Sequence, residues 1–230
     1  MPLKNFQRRD ILPGRTKGEV YMKDALEFFV SSGNIRLDAQ LKFSAVIDRM
    51  CSVFRRTILL DRSRHENDAE HSWHIAVMAL LLEEYAVEKV DVLHAVEMLL
   101  VHDLVEIYAG DTFAYDTAGN ASKEAREKEA ANRLFSQLPP EQGEYLRGLW
   151  EEFDRGTGAD ARYANCLDRV QPFLHNVLTE GYTWQNSEPQ PDADMVRLRM
   201  AVLKDFMPEL HKWVEKAIQK AVENQHLKER

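Results

Sequence analysis

Through most of this chain apolar residues return every three to four positions, the period of a helix with one buried face. Residues 1–16 break that rhythm and read as a loose arm, with Pro13-Gly14 as a turn. The pattern predicts a first helix over 17–30, carrying Val20, Ala25, Phe28 and Phe29 and stopped by Ser31-Ser32-Gly33-Asn34. A second is expected from about Asp38 to Arg55, with Leu41, Phe43, Ile47, Met50 and Phe54 as its stripe. Arg56 to Glu66 reads as a basic connector. Asn67, with Glu70 three positions later, has the spacing of a capping box and starts a helix reaching Tyr85. Asp91 caps the next, which runs to about Tyr108, before Gly110.

Residues 109–120 are expected to be irregular. Helices follow over about Ser122–Leu138, from Pro139-Pro140 to Phe153, and over Asp160–Thr179, with Gly156 and Gly158 between the last two. A loop spans 181–191, and helices cover 192–225 with a break near Pro208. No alternation of period two persists. The fold class expected is all-α, a single helical domain over 17–230 with its core in about 40–180.

Charge narrows the partners. The net charge of −8 repels a phosphate backbone, so long nucleic acid is disfavoured. A small anionic substrate stays compatible, because a metal and a few arginines reverse the sign locally. The two cysteines, Cys51 and Cys166, form no CxxC pair and read as small buried apolar residues. The first ten residues lack a signal-peptide core, and apolar runs such as Ala76–Leu82 stop well short of a membrane span. A soluble, cytoplasmic protein is expected.

Three places carry candidate chemistry. His71 stands in the first turn of its helix; His102-Asp103 interrupts the apolar stretch Met98–Val105; Asp168 lies between Ala164-Asn165-Cys166-Leu167 and Val170. A carboxylate inside an apolar helix is costly to desolvate unless it is paired or bound to a cation. Each residue taken alone reads as structural: a helical His-Asp pair arises by chance, Asp168 has Arg162 and Arg169 to pair with, and His71 packs well at a helix start. The ordered set, two histidines and two carboxylates on three successive helical segments, points instead to a divalent metal. Its nitrogen and oxygen donors suit Mn, Fe, Co, Ni or Zn better than Mg.

In this ordered set, His71…His102-Asp103…Asp168, the chain resembles the HD-domain metal-dependent phosphohydrolases. Arg56, the run Arg64-His65-Glu66-Asn67-Asp68-Ala69-Glu70-His71-Ser72, and His102-Asp103-Leu104-Val105-Glu106 with Gly110-Asp111 resemble its 5′-deoxynucleotidase branch. The similarity covers about residues 40–180. It implies an all-helical fold and one metal held by His71, His102, Asp103 and Asp168. It also implies attack of a metal-bound water on a nucleoside monophosphate, with release of phosphate. Glu106, one helical turn beyond His102, is expected to orient or deprotonate the water. Asp111 is expected to contact the sugar or the water, and Arg56 to grip the phosphate, with Arg55, Arg62 and Arg64 as competitors.

The branch has tryptophan after that arginine, where this chain has Thr57. The smaller residue leaves room for a 2′-hydroxyl, so the resemblance does not decide between deoxyribose and ribose. No histidine lies between Asp103 and Asp168, the interval in which HD proteins with two metals usually carry further histidine ligands, so the resemblance implies one metal. The rival readings are a phosphatase of another small phosphate ester and a non-catalytic metal- or nucleotide-binding regulator. His74, His94 and His175 read as packed or surface groups, the charged run Lys123–Glu129 as a solvated face, and Trp73, Trp150 and Trp184 as core or interface. A homodimer is expected, with the C-terminal helices supplying an interface.

Overall fold

The computed structural model describes residues 25–230; the expected arm and most of the first expected helix lie outside the described residues. Asn34 caps α1 (Ile35–Ile47), its side chain accepting from the amides of Arg36 and Leu37. The stripe does not continue as α-helix to Arg55. A 3₁₀ segment, Asp48–Ser52, tightens the end, and the chain then extends into a strand.

Two strands replace the expected connector. β1 (Phe54–Ile58) pairs antiparallel with β2 (His65–Asn67), Phe54 opposite Asn67 and Ile58 opposite His65, with an irregularity between them. Five residues reading Phe-Arg-Arg-Thr-Ile carry no alternation that a sequence pattern detects. Helices elsewhere in the chain hold the ribbon in place: His175 Nδ1 lies 3.0 Å from the Ile58 carbonyl, and the Thr183 hydroxyl reaches the Arg56 carbonyl at 3.4 Å. A lone hairpin is marginal in water, so this covering is what makes the strands persist.

β2 runs directly into α2 (Asp68–Leu82). The capping box is present: Asn67 Oδ1 accepts from the Glu70 amide at 2.9 Å, and the Glu70 carboxylate accepts from the Asn67 amide at 3.2 Å. α3 (Val92–Val101) begins at the Asp91 cap and ends earlier than expected. His102 is its C-cap, and residues 102–105 form turns before the short α4 (Glu106–Ala109). The doublet therefore sits where the helix breaks rather than in its interior. The Leu104, Glu106 and Ile107 amides each donate three residues back, a 3₁₀ pattern that brings side chains at i and i+3 into eclipse. Asp103 and Glu106 become neighbours for that reason. Gly110, at φ 76°, then reverses the chain in a conformation that strains any other residue and delivers Asp111.

The remaining elements are α5 (Thr117–Asn120), α6 (Lys123–Phe135), α7 (Pro140–Arg155), α8 (Ala159–Leu178), α9 (Tyr182–Asn186), α10 (Ala193–Met200) and α11 (Pro208–Glu223). α9 lies inside the expected 181–191 loop. α2, α3 and α8 pack on one another, and α7 covers α3. The core runs from Phe43 to Leu227 as one cluster, with Ile75, Met98, Leu99, Tyr163 and Leu167 fully enclosed. Val214 and Ile218 of α11 are buried in it, so the apolar face of the C-terminal helix is already covered. Cys166 is buried as expected, whereas Cys51, in the 3₁₀ segment, is exposed. Among the described residues no helix is long and apolar enough to cross a membrane.

Candidate metal centre and its cleft

β1, the start of α2, the break after α3 and the middle of α8 converge on one buried point. They bring together Arg55, Asp68, His71, His102, Asp103, Glu106 and Asp168. The four residues singled out as ligands are among them.

The tautomers of both histidines are set from outside. His71 Nδ1 is 3.0 Å from Gln171 Oε1, an oxygen that only accepts, so Nδ1 carries the hydrogen and Nε2 is a bare lone pair. That Nε2 is 3.1 Å from Asp168 Oδ1. His102 Nδ1 lies 2.9 Å from the Leu99 carbonyl, which again leaves Nε2 bare. His102 Nε2 is 3.0 Å from Asp103 Oδ2 and 3.6 Å from Asp168 Oδ1, yet it is buried without a hydrogen-bond partner. Ligand atoms of His71, His102 and Asp168 all fall within 4.8 Å of one another. Lone pairs aimed at carboxylate oxygens repel unless a cation stands among them, so this donor set fits a divalent metal.

The pull on a positive charge also appears in the titration of the groups. Burial alone would lower the His102 imidazolium, but Asp103, and then Asp168, carry it up to about 10. Burial and the nearby Arg55 hold His71 down at about 4. Burial would raise Asp168, but the adjoining His102 and His71 rings hold it well below the usual carboxylate range. Asp103 is held low in the same way, by His102 and Arg55 against burial.

A second group of carboxylates, Asp68, Asp103 and Glu106, adjoins the first. Arg55 Nη1 reaches Asp103 Oδ2 at 2.6 Å and Asp68 Oδ1 at 3.3 Å. Asp68 Oδ2 and Glu106 Oε2 are buried without partners. Burial, reinforced by Asp103, lifts Asp68 to about 7, and burial with Asp103, Asp68 and Asp111 holds Glu106 well above its ordinary value. Asp111 is raised too, mainly by burial, with Arg55 opposing. A carboxyl poised this way is suited to carrying a proton at neutral pH.

Behind His71 lies a third polar cluster. The Gln171 amide nitrogen donates to Glu66 Oε1 at 2.6 Å and lies 3.2 Å from His74 Nδ1 and 3.1 Å from His175 Nε2. Its oxygen is the one that holds His71.

A cleft opens over the centre. Thr57 is buried in its wall, Arg56 stands exposed at its mouth, and Phe113, Tyr115, Phe153 and Trp184 supply aromatic surface. The Phe153 ring lies 4.7 Å from that of His102. Lys123 also lines the cleft and pairs with Glu127 at 3.4 Å. Strand alternation separates the two arginines, turning Arg55 inward to the carboxylates and leaving Arg56 facing the opening.

Asp68, Gln171 and Lys123 were invisible to sequence reasoning. Asp68 looks like an ordinary acidic residue in a first helical turn, Gln171 like a polar residue one turn beyond Asp168, and Lys123 like part of a solvated run. Only Arg55 carried a signal, as a competitor of Arg56. Trp73 is 65% exposed, so it is not a core residue, whereas Trp150 and Trp184 are buried.

Comparison with known proteins places this geometry. Residues 47–211 match the family described as HD domain. The human 5′-deoxynucleotidase HDDC2 is 30% identical over 140 residues, covering 61% of this chain and 63% of that protein. The Bos taurus 5′-deoxynucleotidase HDDC2 is 31% identical over the same shares. This chain thus spans about 63% of the length of these curated relatives. A crystal structure of a predicted metal-dependent phosphohydrolase from Magnetospirillum magnetotacticum MS-1 is 44% identical, with a TM-score of 0.78 over 85% of this chain and 100% of that one. The chain belongs to the HD domain family.

Proposed function

We propose that this HD domain protein is a metal-dependent phosphomonoesterase, a 5′-nucleotidase that releases phosphate from nucleoside monophosphates. One observation carries the reading: two imidazole lone pairs with fixed tautomers face the Asp103 and Asp168 carboxylates, with no hydrogen bond to His102 Nε2. His71, His102, Asp103 and Asp168 hold one divalent ion, for which Mn, Fe, Co, Ni or Zn fits two nitrogens and two carboxylates better than Mg. Such an ion, when bound, acidifies water and withdraws charge from phosphoryl oxygens.

The chain's own groups do the rest. Arg55 neutralises Asp103 and Asp68, so a dianionic phosphate is not repelled. Arg56 grips phosphate oxygens from the mouth. Glu106 orients the attacking water and takes its proton, and Asp111, which lines the same cleft, contacts the water or the sugar. Phosphoryl transfer asks for little beyond such positioning and charge balance. The HDDC2 relatives are named deoxynucleotidases. The small, buried Thr57 leaves room at the sugar, so ribonucleotides are substrates as well.

The protein acts in the cytoplasm as a homodimer. Trp73, Val77, Leu80 and Leu81 of α2 and Leu93 and Leu100 of α3 are exposed and offer an apolar face to a second copy. Sedimentation of wild-type and Leu81→Glu protein tests this; a monomeric wild type refutes it.

The enzymatic reading is tested by phosphate release. Metal-stripped protein is given ribo- and deoxyribonucleoside monophosphates, with each metal added back, beside Asp103→Ala. Metal-dependent turnover absent from the variant is expected. Silence across the panel in protein that still binds metal would exclude the nucleotidase.

A further inference from the structure

The cleft holds more positive charge than one phosphate requires. Arg169, next to Asp168 on α8, and Arg199, near the end of α10, both line it. They stand together: Arg169 Nη1 donates to the Arg199 carbonyl at 3.2 Å. Among the described residues neither guanidinium pairs with a carboxylate, and the Arg199 side chain makes no hydrogen bond at all. Other arginines of the chain are spent differently. Arg55 is bound to Asp103 and Asp68, Arg62 to Glu180, Arg162 to Glu88 and Arg197 to Glu215.

Both residues of the pair are half-buried, so their repulsion is less screened than on an open surface. Tyr115, across the same cleft, is close enough to Arg199 to feel its charge. Two like charges held together with no carboxylate in salt-bridge contact among the described residues, with a phenol opposite, form a receptor for an anion. The scissile phosphate does not fill it, since that group belongs at the metal ligands and Arg56.

We propose that Arg169 and Arg199 bind a second phosphate of the substrate, and that the preferred substrates are nucleotides carrying two phosphate groups, from which water displaces one phosphate at its ester or anhydride bond. This rests on the phosphomonoesterase reading above and sharpens its substrate class. The second phosphate is either remote on the sugar, as in a nucleoside 3′,5′-bisphosphate, or contiguous, as in a nucleoside 5′-diphosphate. The chemistry that recognises it is the same.

The experiment compares adenosine 5′-monophosphate, adenosine 3′,5′-bisphosphate and adenosine 5′-diphosphate on the metal-loaded wild type, Arg199→Gln and Arg199→Lys. The wild type is expected to favour one two-phosphate compound by roughly tenfold or more in kcat/KM, about the value of one charge-assisted contact. Arg199→Gln is expected to cut that preference about tenfold, mainly through KM, and Arg199→Lys to restore part of it. Which compound gains locates the second phosphate. Equal losses for all three compounds in Arg199→Gln would overturn the proposal and assign the pair to the base or sugar. A wild type with no preference would overturn it too. If no compound is turned over, the phosphatase reading fails by itself. Calorimetric binding of the same compounds then decides: tighter two-phosphate binding that weakens in Arg199→Gln upholds the anion site, and equal binding ends it.

Discussion

Two buried clusters lie on opposite sides of the His71 ring, and both contain histidine and carboxylate ligand atoms within 4.8 Å. At the front are His71, His102 and Asp168; at the rear are Glu66, His74 and His175. Residue types alone do not tell them apart. Their satisfaction does. The rear cluster is already filled, because the Gln171 amide nitrogen sits among all three acceptors. The front cluster has bare nitrogens facing carboxylate oxygens and nothing to bridge them. Buried polar atoms are normally paired, so the front implies a cation and the rear implies a support. Gln171 joins the two, donating to the rear and accepting from His71 with one amide.

The sharpest way to break this contrast is to remove a front ligand. Asp103→Ala is expected to abolish both bound metal and turnover while circular dichroism stays helical; metal retained at full stoichiometry by elemental analysis would move the site elsewhere. Glu106→Gln separates chemistry from binding. It should keep the metal and lower kcat by about 10²–10⁴-fold, the usual worth of a general acid or base. A kcat within threefold of wild type would remove Glu106 from the reaction.

Smaller effects probe the rear. Gln171→Leu should weaken metal affinity by roughly 10–100-fold, as loss of an outer partner of a metal histidine does. His175→Phe should lower thermal stability with unchanged metal content, since it removes the bond to the Ile58 carbonyl but no front ligand. Loss of metal in His175→Phe, measured by competition with a chromophoric chelator, would show that the rear cluster binds metal itself.

The smallest effect is a pH dependence. Burial, partly offset by Arg55, lifts Glu66 from 4.5 to about 7. Between those values the folded protein keeps a proton that the unfolded chain has lost, so Glu66 costs stability increasingly as pH rises through that window. Metal-free Glu66→Gln should therefore gain on wild type by a few degrees in Tm from pH 4.5 to 7. A melting difference independent of pH would refute that environment for Glu66.

Much of the architecture could be read from local patterning. The capping box at Asn67 and the cap at Asp91 are present, and the apolar periodicity marks helices over most of the described chain. Those signals are local, written within a turn or two of the residues that respond to them. The set His71, His102, Asp103 and Asp168 stood out in the sequence because the His102-Asp103 doublet and Asp168 interrupt apolar helical stretches, and because their order resembles a known family.

Tertiary structure alone decided the rest. Phe54–Ile58 became a strand because α8 and α9 cover it, contacts more than a hundred residues distant in the chain. The α3 helix stopped at His102 without glycine or proline, so its break was not written locally. Arg55 turned inward and Arg56 outward by strand alternation, which requires knowing that a strand is there. Gln171, Asp68, Arg169 and Arg199 acquired meaning only from their neighbours. A polar side chain's role depends on whether its partners are present, and those partners come from elements that meet only when the chain folds.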